Sequence, residues 1–416
     1  MKRSILPRLG LAIAIALACA TATAQEFLPP PELVMRAIEA RPEVRAAASE
    51  VDAAGAQARA YAVGSHEVEL SAIQQRRRVD QPSDTGRYAE WEAQISRRFR
   101  LPGKAALDRR IGEAVVDAAD MYRDDARHQA ARSLLERWMQ WLGASATADE
   151  AGRQYDSVTR AHRSVKRQVE LGEAALKDLE LMEVEVAQAE VHRLGATTAL
   201  DKARRAFEIQ FPQLPLPLRP PALPDPVPLE GSDQTWINLI IQRSHEIRGL
   251  EALAAAQDAT AARARADRIP DPSLGLRVMS DRDGSEQVVG LVLSMPISGR
   301  YRRSLMDAGY ADAAASHAQA EAMRRQVTQD GELAVHDAAG TLAQWRALKS
   351  AYDASAAASQ RLNRGWQLGE LSLAEWLVAE RNHRQIAWAE TTARAKAIEA
   401  WLRVHVDSHE LWAVGH

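Results

Sequence analysis

The sequence has few of the residues that build a thick hydrophobic core or a cross-linked fold. Only 5% of its 416 residues are aromatic, it has a single cysteine, Cys19, and alanine makes up much of its 46% hydrophobic fraction. One thiol cannot form an intrachain disulfide or a zinc ribbon. A core made mostly of alanine is thin, which favours closely packed helices over a globular interior.

Neither sign of charge is in large excess, and long apolar runs are scarce. Lys and Arg together number 53 against 56 Asp and Glu, whereas a nucleic-acid-binding protein normally has a basic surplus. Beyond residue 25 no apolar run approaches the roughly 20 residues of a transmembrane helix. We therefore expect no nucleic-acid partner, and a membrane role would need something other than helical spans.

Motifs of enzyme chemistry are also missing. The sequence has no Ser/His/Asp order, no glycine-rich phosphate loop and no paired carboxylates in a recognisable cleft. We therefore expect a protein that is not an enzyme and that needs no cofactor.

The amino-terminal residues have the pattern of an export signal. A basic head precedes an apolar run over residues 9–20, and the small residues Ala22-Thr23-Ala24 follow. This order is typical of a secretory signal peptide, so we expect residues 1–24 to be removed by cleavage after Ala24. Lipidation of Cys19 is the alternative.

The rest of the chain is predicted to be an internal twofold repeat, over residues 25–210 and 233–416. Two pairs of segments match in step: LGEAALKDL (171–179) with LGELSLAEW (368–376), and LPGK (101–104) with ISGR (297–300). Internal repeats constrain a fold more than single motifs do. Between the halves, residues 211–232 contain eight prolines, which excludes a helix and favours an extended strap.

Each half is expected to contain a helix, a β-hairpin, a very long helix, a tip turn and a return helix. No proline lies between Gly103 and Gly172 or between Gly299 and Gly369, and an uninterrupted helix of that size is about 100 Å long. In the first half we expect a hairpin over 66–98, a long helix over 104–170, a tip turn over 171–175 and a return helix over 176–210. In the second half we expect a hairpin over 272–295, a long helix over 300–367, a tip turn over 368–372 and a return helix over 373–410.

The predicted helices have packing seams. In the first return helix, apolar residues recur at alternating steps of three and four from Leu179 to Phe207, and only Arg193 interrupts them. We interpret the tryptophans of the predicted helices as packing residues: Trp138, Trp141, Trp345, Trp366 and Trp388.

The predicted hairpins alternate apolar and polar side chains, with Trp91 and Ile95 on one face of the clearest strand. Apolar-out and polar-in strands of about 10 residues are typical of transmembrane β-barrels. Half-buried hairpins of a soluble sheet are the alternative, but an exported chain with such long helices favours the membrane interpretation. The lumen-facing residues would then be Glu67, Glu69, Glu90, Glu92 and Gln94. We place the three arginines over 76–78 at the start of the hairpin loop.

Four strands per chain cannot close a barrel, and unpaired strand edges are not tolerated in lipid. About eight strands make the smallest bacterial barrel, so several copies must pool their strands. The expected fold is mostly helical with a small β part. Long antiparallel helical hairpins would form an α-barrel, and four strands per chain would contribute to an oligomeric transmembrane β-barrel.

The chain resembles the TolC-type family of outer-membrane efflux proteins. The resemblance rests on four features in this order: the twofold repeat, the proline strap, the glycine after each second strand (FRLPGK and MPISGR) and the LGE tip turns. The resemblance covers essentially all of the mature chain. The LPGK and ISGR segments look most like the heavy-metal (cobalt-zinc-cadmium) branch. The chain is short for the family, and its tip turns lack the arginine that many relatives have just after the glycine.

The resemblance implies a homotrimer in the outer membrane whose helices extend into the periplasm. It implies docking to a periplasmic adaptor protein and to an inner-membrane pump of the RND type, with this chain as a passive gated duct. Heavy-metal cations are one implied cargo, and drugs or other small molecules are the alternative. An exported coiled-coil scaffold without a pore is a further alternative. A periplasmic adaptor would need a lipoyl-like β domain, which we do not find.

The tip turns are the candidate docking site. Glycine ends helices because it accepts left-handed dihedrals, so a plain helical hairpin turn is one interpretation. The functional interpretation is that the adaptor docks on Leu171, Gly172, Glu173, Leu368, Gly369 and Glu370. Asp178 and Glu375, in the first turns of the return helices, would then line the periplasmic entrance and attract cations.

His405, Asp407, His409, Glu410 and His416 cluster at the carboxyl end, and we expect a solvated terminal segment there that holds no metal. The alternative is a weaker candidate site on His405 and His409. They are spaced i, i+4, which on a helix would bring both within reach of one metal ion.

Overall fold

Residues 27–413 are described by the structure, a computed structural model. The predicted signal segment over 1–24, with Cys19, and the terminal His416 lie outside the described residues. The helices are α1 (Pro31–Glu39), α2 (Pro42–Val63), α3 (Lys104–Glu170), α4 (Leu176–Gln210), α5 (Asp233–Arg243), α6 (His245–Ala266), α7 (Arg300–Gln367) and α8 (Leu373–Asp407). The strands are β1 (Val68–Gln81), β2 (Asp84–Arg98), β3 (Ser273–Asp281) and β4 (Glu286–Ser294).

The prediction of a mostly helical chain with a small four-stranded antiparallel sheet is confirmed. The proline-rich residues 211–232 contain neither helix nor strand, because proline cannot donate the backbone hydrogen bond that either element needs.

The chain divides into two compact units. The helical unit comprises residues 27–45, 126–244 and 327–413, and the sheet unit comprises residues 46–125 and 245–326. The first part of each long helix, α3 and α7, belongs to the sheet unit, and the remainder belongs to the helical unit.

The helical unit is built on the predicted seams. On α4, the residues Met182, Ala189, Ala196 and Phe207 are buried, which confirms the coiled-coil spacing. Arg193, at the break in the seam, lies over the ring of Tyr155 at 5.2 Å. An arginine stem can cover apolar surface while its charged end stays in water, so the seam continues past this position.

Most of the predicted packing tryptophans do pack. Trp138 and Trp141 lie in the largest core of the helical unit with Phe207 and Phe211, and Trp345 is buried in a smaller one. Trp388 is an exception, since 37% of its surface is exposed.

The sheet unit packs its helices through small side chains. A Cβ added to Gly112 would lie 2.9 Å from the Cα of Ala58, and one added to Gly309 would lie 3.3 Å from the Cα of Ala261. The buried apolar residues of its helices are mostly alanine. This is the thin core that the composition predicts, because no large side chain holds the helices apart.

The four strands form one sheet in the order β1-β2-β3-β4, and all neighbours are antiparallel. The first hairpin is the longer: its ladder runs from Val68 opposite Arg97 to Gln81 opposite Asp84. The pairing of β2 with β3 begins only at Trp91. Residues 84–90 of β2 therefore pair with β1 alone.

The prediction that residues 76–78 begin a hairpin loop is wrong. All three arginines lie within β1, paired with residues 87–89 of β2, and the turn is the pair Pro82-Ser83. Three consecutive charges obscure the period-two pattern of a strand, although each of them takes its own place in the alternation. The second hairpin turns through a short 3₁₀ helix, Arg282–Gly284, with Asp283 at a φ of 56°.

The prediction of a solvated carboxyl-terminal segment is also wrong. Val404, Val406, Asp407, Ser408 and His409 are buried. The return helix α8 ends at Asp407 rather than at residue 410, and His409 has a left-handed φ of 59°. The chain therefore turns sharply and packs back into the helical unit.

Candidate functional site

The α3–α4 tip is a Schellman turn. Gly172 has a φ of 75°. Its N–H donates to the carbonyl of Val169 at 3.0 Å, and the N–H of Glu173 donates to the carbonyl of Gln168 at 2.8 Å. These two bonds satisfy the last carbonyls of the helix and require a left-handed residue at this position. Glycine adopts that conformation without a steric cost.

The α7–α8 tip has the same backbone geometry. Gly369 has a φ of 77°, and its N–H donates to the carbonyl of Trp366 at 3.0 Å. The N–H of Glu370 donates to the carbonyl of Gly365 at 2.9 Å. The matching LGE segments thus produce matching turns.

Each tip presents a leucine beside bare backbone. Leu171 is 55% exposed and Leu368 is 67% exposed. A Cβ built on Gly172 or Gly369 would meet nothing within 4 Å. Glu173 and Glu370 are exposed next to these glycines. The tips therefore offer small apolar surfaces that no other described residue covers.

The two predicted entrance acids have different surroundings. Ser372 and Glu375 form a capping box: the Ser372 N–H donates to Glu375 Oε2 at 2.8 Å, and the Glu375 N–H donates to Ser372 Oγ at 3.3 Å. The hydrogen bonds from the backbone and side chain of Ser372 hold the pKa of Glu375 below its ordinary value. Asp178 lies in the first turn of α4, whose N-cap residue, Ala175, provides no side-chain cap.

Below the tips, the ends of α3 and α7 pack with the starts of α4 and α8. The rings of Trp366 and Trp376 stack with their centroids 4.7 Å apart. The buried members of this cluster are Val158, Val165, Met182, Ala189, Leu373, Trp376 and Leu377. The helices next to the tips are therefore joined by an apolar cluster.

A fully buried carboxylate joins the two return helices. Glu185 of α4 has no exposed surface. Arg381 of α8 donates from Nε to its Oε1 at 2.5 Å, and Arg384 donates to its Oε2. A buried carboxylate is tolerated only when it is paired and hydrogen-bonded. Sequence reasoning missed this contact, and the only hint is that Glu185 lies beside the seam position Val186.

The sheet has two chemically different faces. One face carries exposed aliphatic residues from all four strands; Leu70, for example, is 76% exposed and Leu291 is 80% exposed. The register places the following residues on this face: Val68, Leu70, Ala72, Trp91, Ala93, Ile95, Leu274, Leu276, Val278, Val289, Leu291 and Leu293. A water-exposed apolar surface of this extent marks an interaction site.

The other face carries most of the predicted lumen residues. Glu90, Glu92 and Gln94 alternate along β2, and Glu69 lies on the same face of β1. Glu90 is buried because Arg77 Nε donates to its Oε1 at 2.6 Å and Gln75 donates to its Oε2 at 2.9 Å. Glu67 precedes β1 and is exposed.

A buried lysine fastens the base of the sheet. Lys104, of the LPGK segment, donates to Asp271 at 2.8 Å and to the carbonyl of Ile269 at 2.7 Å. Asp271 also accepts from the Leu101 N–H at 2.9 Å. Burial acts to raise the pKa of Asp271, but the hydrogen bonds from Lys104, Leu101 and His66 outweigh burial and keep the pKa below its ordinary value. Sequence reasoning noted LPGK without assigning Lys104 this role.

The two histidines of the weaker candidate site have separate surroundings. His405 lies against the rings of Trp401 and Trp236, and burial lowers its pKa. His409 lies beyond the end of α8 and stacks on His128 with centroids 4.7 Å apart. The i, i+4 geometry of a helix therefore does not apply to this pair. Within residues 27–413, no group of three or more His, Cys, Asp or Glu side chains is placed to hold a metal ion.

Over the part of the chain that the structure describes, no helix combines the length and the apolar character needed to cross a bilayer.

Solved structures share this fold. The outer-membrane channel OprN superposes with a TM-score of 0.79 at 18% identity, covering 92% of this chain and 90% of that chain. The outer-membrane channel CmeC of Campylobacter jejuni gives a TM-score of 0.72 at 14% identity, covering 91% of this chain and 84% of that chain. The open state of the MtrE outer-membrane channel of Neisseria gonorrhoeae gives a TM-score of 0.73 at 16% identity, covering 91% of this chain and 88% of that chain.

The sequence itself matches no protein-family model and no curated protein. At identities this low the likeness is one of fold. The chain has the fold of outer-membrane channels of the TolC type, the class that its repeats and motifs predicted.

Proposed function

We propose that this chain is the outer-membrane channel component of a tripartite efflux system. It would act as a passive, gated duct and not as an enzyme. The observation that carries this proposal is the two-faced sheet. One side is mainly aliphatic and exposed, and the other is mainly polar, in a chain with the fold of outer-membrane channels.

The proposal requires several copies of the chain. The sheet of the described residues ends in β1 on one side and β4 on the other, and unpaired strand edges are not tolerated in lipid. We infer a homotrimer whose strands close a single β-barrel. The aliphatic face would meet lipid, and Glu69, Glu90, Glu92 and Gln94 would face the lumen.

The tips would dock a periplasmic adaptor protein, and through it an inner-membrane pump of the RND type would supply the energy. Exposed Leu171 and Leu368 beside bare glycine backbone support this assignment. Asp178, Glu173 and Glu370 would place negative charge at the periplasmic entrance, which favours cations. The carboxylate of Glu375 would contribute charge there while capping its helix.

The proposal also includes the class of compound that is exported. Export of heavy-metal cations rests on the likeness of LPGK and ISGR to the heavy-metal branch and on the acidic entrance. Export of drugs or other small molecules is the alternative within the duct proposal. Cells that lack the gene can be challenged with metal salts and with dyes or antibiotics, and the class of compound that becomes toxic identifies the cargo.

The first experiment is the molar mass of the protein extracted from isolated outer membranes in mild detergent, measured by light scattering with the detergent subtracted. A mass of three mature chains is expected. A single chain in the soluble periplasmic fraction would contradict the duct and would support an exported coiled-coil scaffold without a pore.

The docking role can be tested with Gly172→Trp/Gly369→Trp. A Cβ at either glycine meets nothing within 4 Å, so the bulky residue would obstruct a partner. It also strains the left-handed backbone at φ 75° and 77°, so an intact trimer mass must accompany the loss of efflux. We expect loss of efflux with a normal trimer mass. Gly172→Asn/Gly369→Asn is the matched control, because asparagine tolerates left-handed dihedrals. Unchanged efflux in the tryptophan variant would contradict the docking assignment.

A further inference from the structure

The aliphatic face of the sheet ends in a cluster of arginines. Arg76 and Arg78 are two residues apart on β1, so both lie on that face. Arg78 stands directly opposite Arg87 of β2, and Arg76 stands opposite Ala89. All three arginines are exposed. They occupy the part of the first hairpin that extends beyond β3.

These charges are not balanced locally. Like charges directly opposite each other in an antiparallel pair destabilise the pairing. Asp80, 3.8 Å from Arg78, shares this face, whereas Arg77 points to the opposite face and pairs with Glu90. Among the ion pairs of the described residues, those on β1 involve Arg77 and Arg78, and none involves Arg76 or Arg87. A second carboxylate is close by, since Asp283 Oδ1 accepts from the Ala89 N–H at 2.7 Å. Three arginines against Asp80 and Asp283 still leave a local basic surplus that an anionic ligand would neutralise.

The order of side chains along the face is that of a membrane interface. On β2, aliphatic Ile95 is followed by Trp91 and then by Arg87, at successive steps of about 13 Å along the strand. Trp91 is 49% exposed. Tryptophan favours the boundary between hydrocarbon and headgroups, and arginine extends its charged end beyond that boundary. The arginines therefore lie at the depth where lipid phosphates would be.

We propose that Arg76, Arg78 and Arg87 bind the phosphate of an anionic lipid headgroup. This inference rests on the proposed function, since it requires the aliphatic face to meet lipid. Guanidinium groups present forked N–H donors that match phosphate oxygens. A phosphate between Arg78 and Arg87 would convert their repulsion into two attractive contacts. The adjoining aliphatic rows would hold the acyl chains, which favours a lipid over free phosphate.

The test compares wild type with R76Q/R78Q/R87Q in vesicles of phosphatidylethanolamine that contain a minor fraction of diphosphorylated lipid A. Flotation on a density gradient reports insertion, and mass spectrometry after detergent extraction reports the lipid A retained by the protein. The matched control is R153Q/R160Q/R325Q, which removes three exposed arginines from helices. We expect equal insertion and normal retention in the control, but about 100-fold less retained lipid A in the sheet variant.

Four outcomes would overturn the proposal. They are equal retention by wild type and the sheet variant, equal retention of dephosphorylated lipid A by wild type, displacement of the lipid by inorganic phosphate, and loss of the trimer mass in the sheet variant. The last would mean that the arginines contact another copy of the chain. Failure of wild type itself to float would overturn the proposed function, and this site with it.

Discussion

The two halves of the chain share a plan but are held together by different contacts. Lys104 of the LPGK segment is buried against Asp271, whereas Arg300 at the matching place in ISGR is exposed. The α8 tip has the capping box of Ser372 and Glu375, whereas the α4 tip begins at Ala175 without a side-chain cap. The two LGE segments thus share a backbone geometry, while the side-chain contacts of the two halves differ.

In the return helices α4 and α8, the side chains that differ between the two halves bind each other. Glu185 provides a buried carboxylate from the first half, and Arg381 and Arg384 provide its partners from the second. The residue at the repeat-equivalent position of Glu185 is the neutral Asn382. One half therefore contributes the acid and the other contributes the bases, so neither half could be replaced by a second copy of the other.

Breaking this complementary pair should have the largest effect. Glu185→Leu leaves the largely buried Arg384 and the half-exposed Arg381 without their carboxylate, and we expect a local loss of about 3–4 kcal/mol. Hydrogen exchange of the α8 amides over residues 376–390 measures it. Glu190→Gln is the control, because Glu190 lies on α4 like Glu185 but pairs with Arg193 near the surface. This substitution should not change the exchange of the α8 amides.

A triple variant, E185L/R381M/R384M, gives a further check. Replacing a whole buried ion pair with apolar residues is often neutral, so protection should return towards that of the wild type. Protection as low as that of Glu185→Leu alone would mean that the ion pair is not what joins the helices.

The difference between buried Lys104 and exposed Arg300 should give the next largest effect on local stability. Lys104→Met leaves the buried carboxylate of Asp271 without its main partner, and we expect about 3 kcal/mol of local destabilisation. The Leu101 amide, which donates to Asp271, is the reporter, and its exchange rate should rise by about 100-fold. Arg300→Met should leave exchange in both segments unchanged. Equal effects of the two substitutions would contradict the asymmetry.

The tips should respond more weakly. Ser372→Ala removes the capping box and should cost about 1 kcal/mol at the start of α8. Ala175→Ser would supply a cap to α4, and we expect a gain of about 0.5 kcal/mol there. Exchange of the first-turn amides of each helix measures both. Protection that is unchanged by Ser372→Ala would show that the apolar cluster alone fixes the turn.

The smallest effect should be a pH dependence confined to one tip. The pKa of Glu375 is lower in the folded chain than its ordinary value of 4.5, so the capping box contributes fully above about pH 4.5. Its contribution decreases as the pH falls through the folded-state pKa, because protonation removes the carboxylate acceptor. Amides at the start of α8 should lose protection on acidification. The same amides in Ser372→Ala should lose less, and equal losses would contradict the assignment.

Sequence reasoning succeeded where the signals are local. Proline-free runs predicted the helical character, alternation predicted the antiparallel strands, and the LGE segments predicted glycine-terminated helices, in keeping with the left-handed Gly172 and Gly369. The docking role of these tips stays a prediction, because exposure alone does not identify a partner.

What sequence reasoning missed depends on distant partners. Glu185 and Arg381 are 196 residues apart, and Lys104 and Asp271 are 167 apart, so neither contact leaves a periodic trace. Residues 76–78 were predicted to be in a loop because consecutive charges are rare in a strand. Their place in β1 depends on pairing with β2, which their own sequence does not indicate. The burial of His409 and the partial burial of His405 depend on the helices they pack against, not on their own spacing.

The open ends of the sheet have a consequence for how the protein is made. Within residues 27–413, a single chain has two unpaired strand edges, β1 and β4, next to an aliphatic face that includes Leu291 and Leu293. Such edges pair with other strands indiscriminately, which is the route to aggregation. On the proposed function, pairing of β1 with β4 of another copy of the chain would have to outpace that aggregation before the sheet reaches lipid.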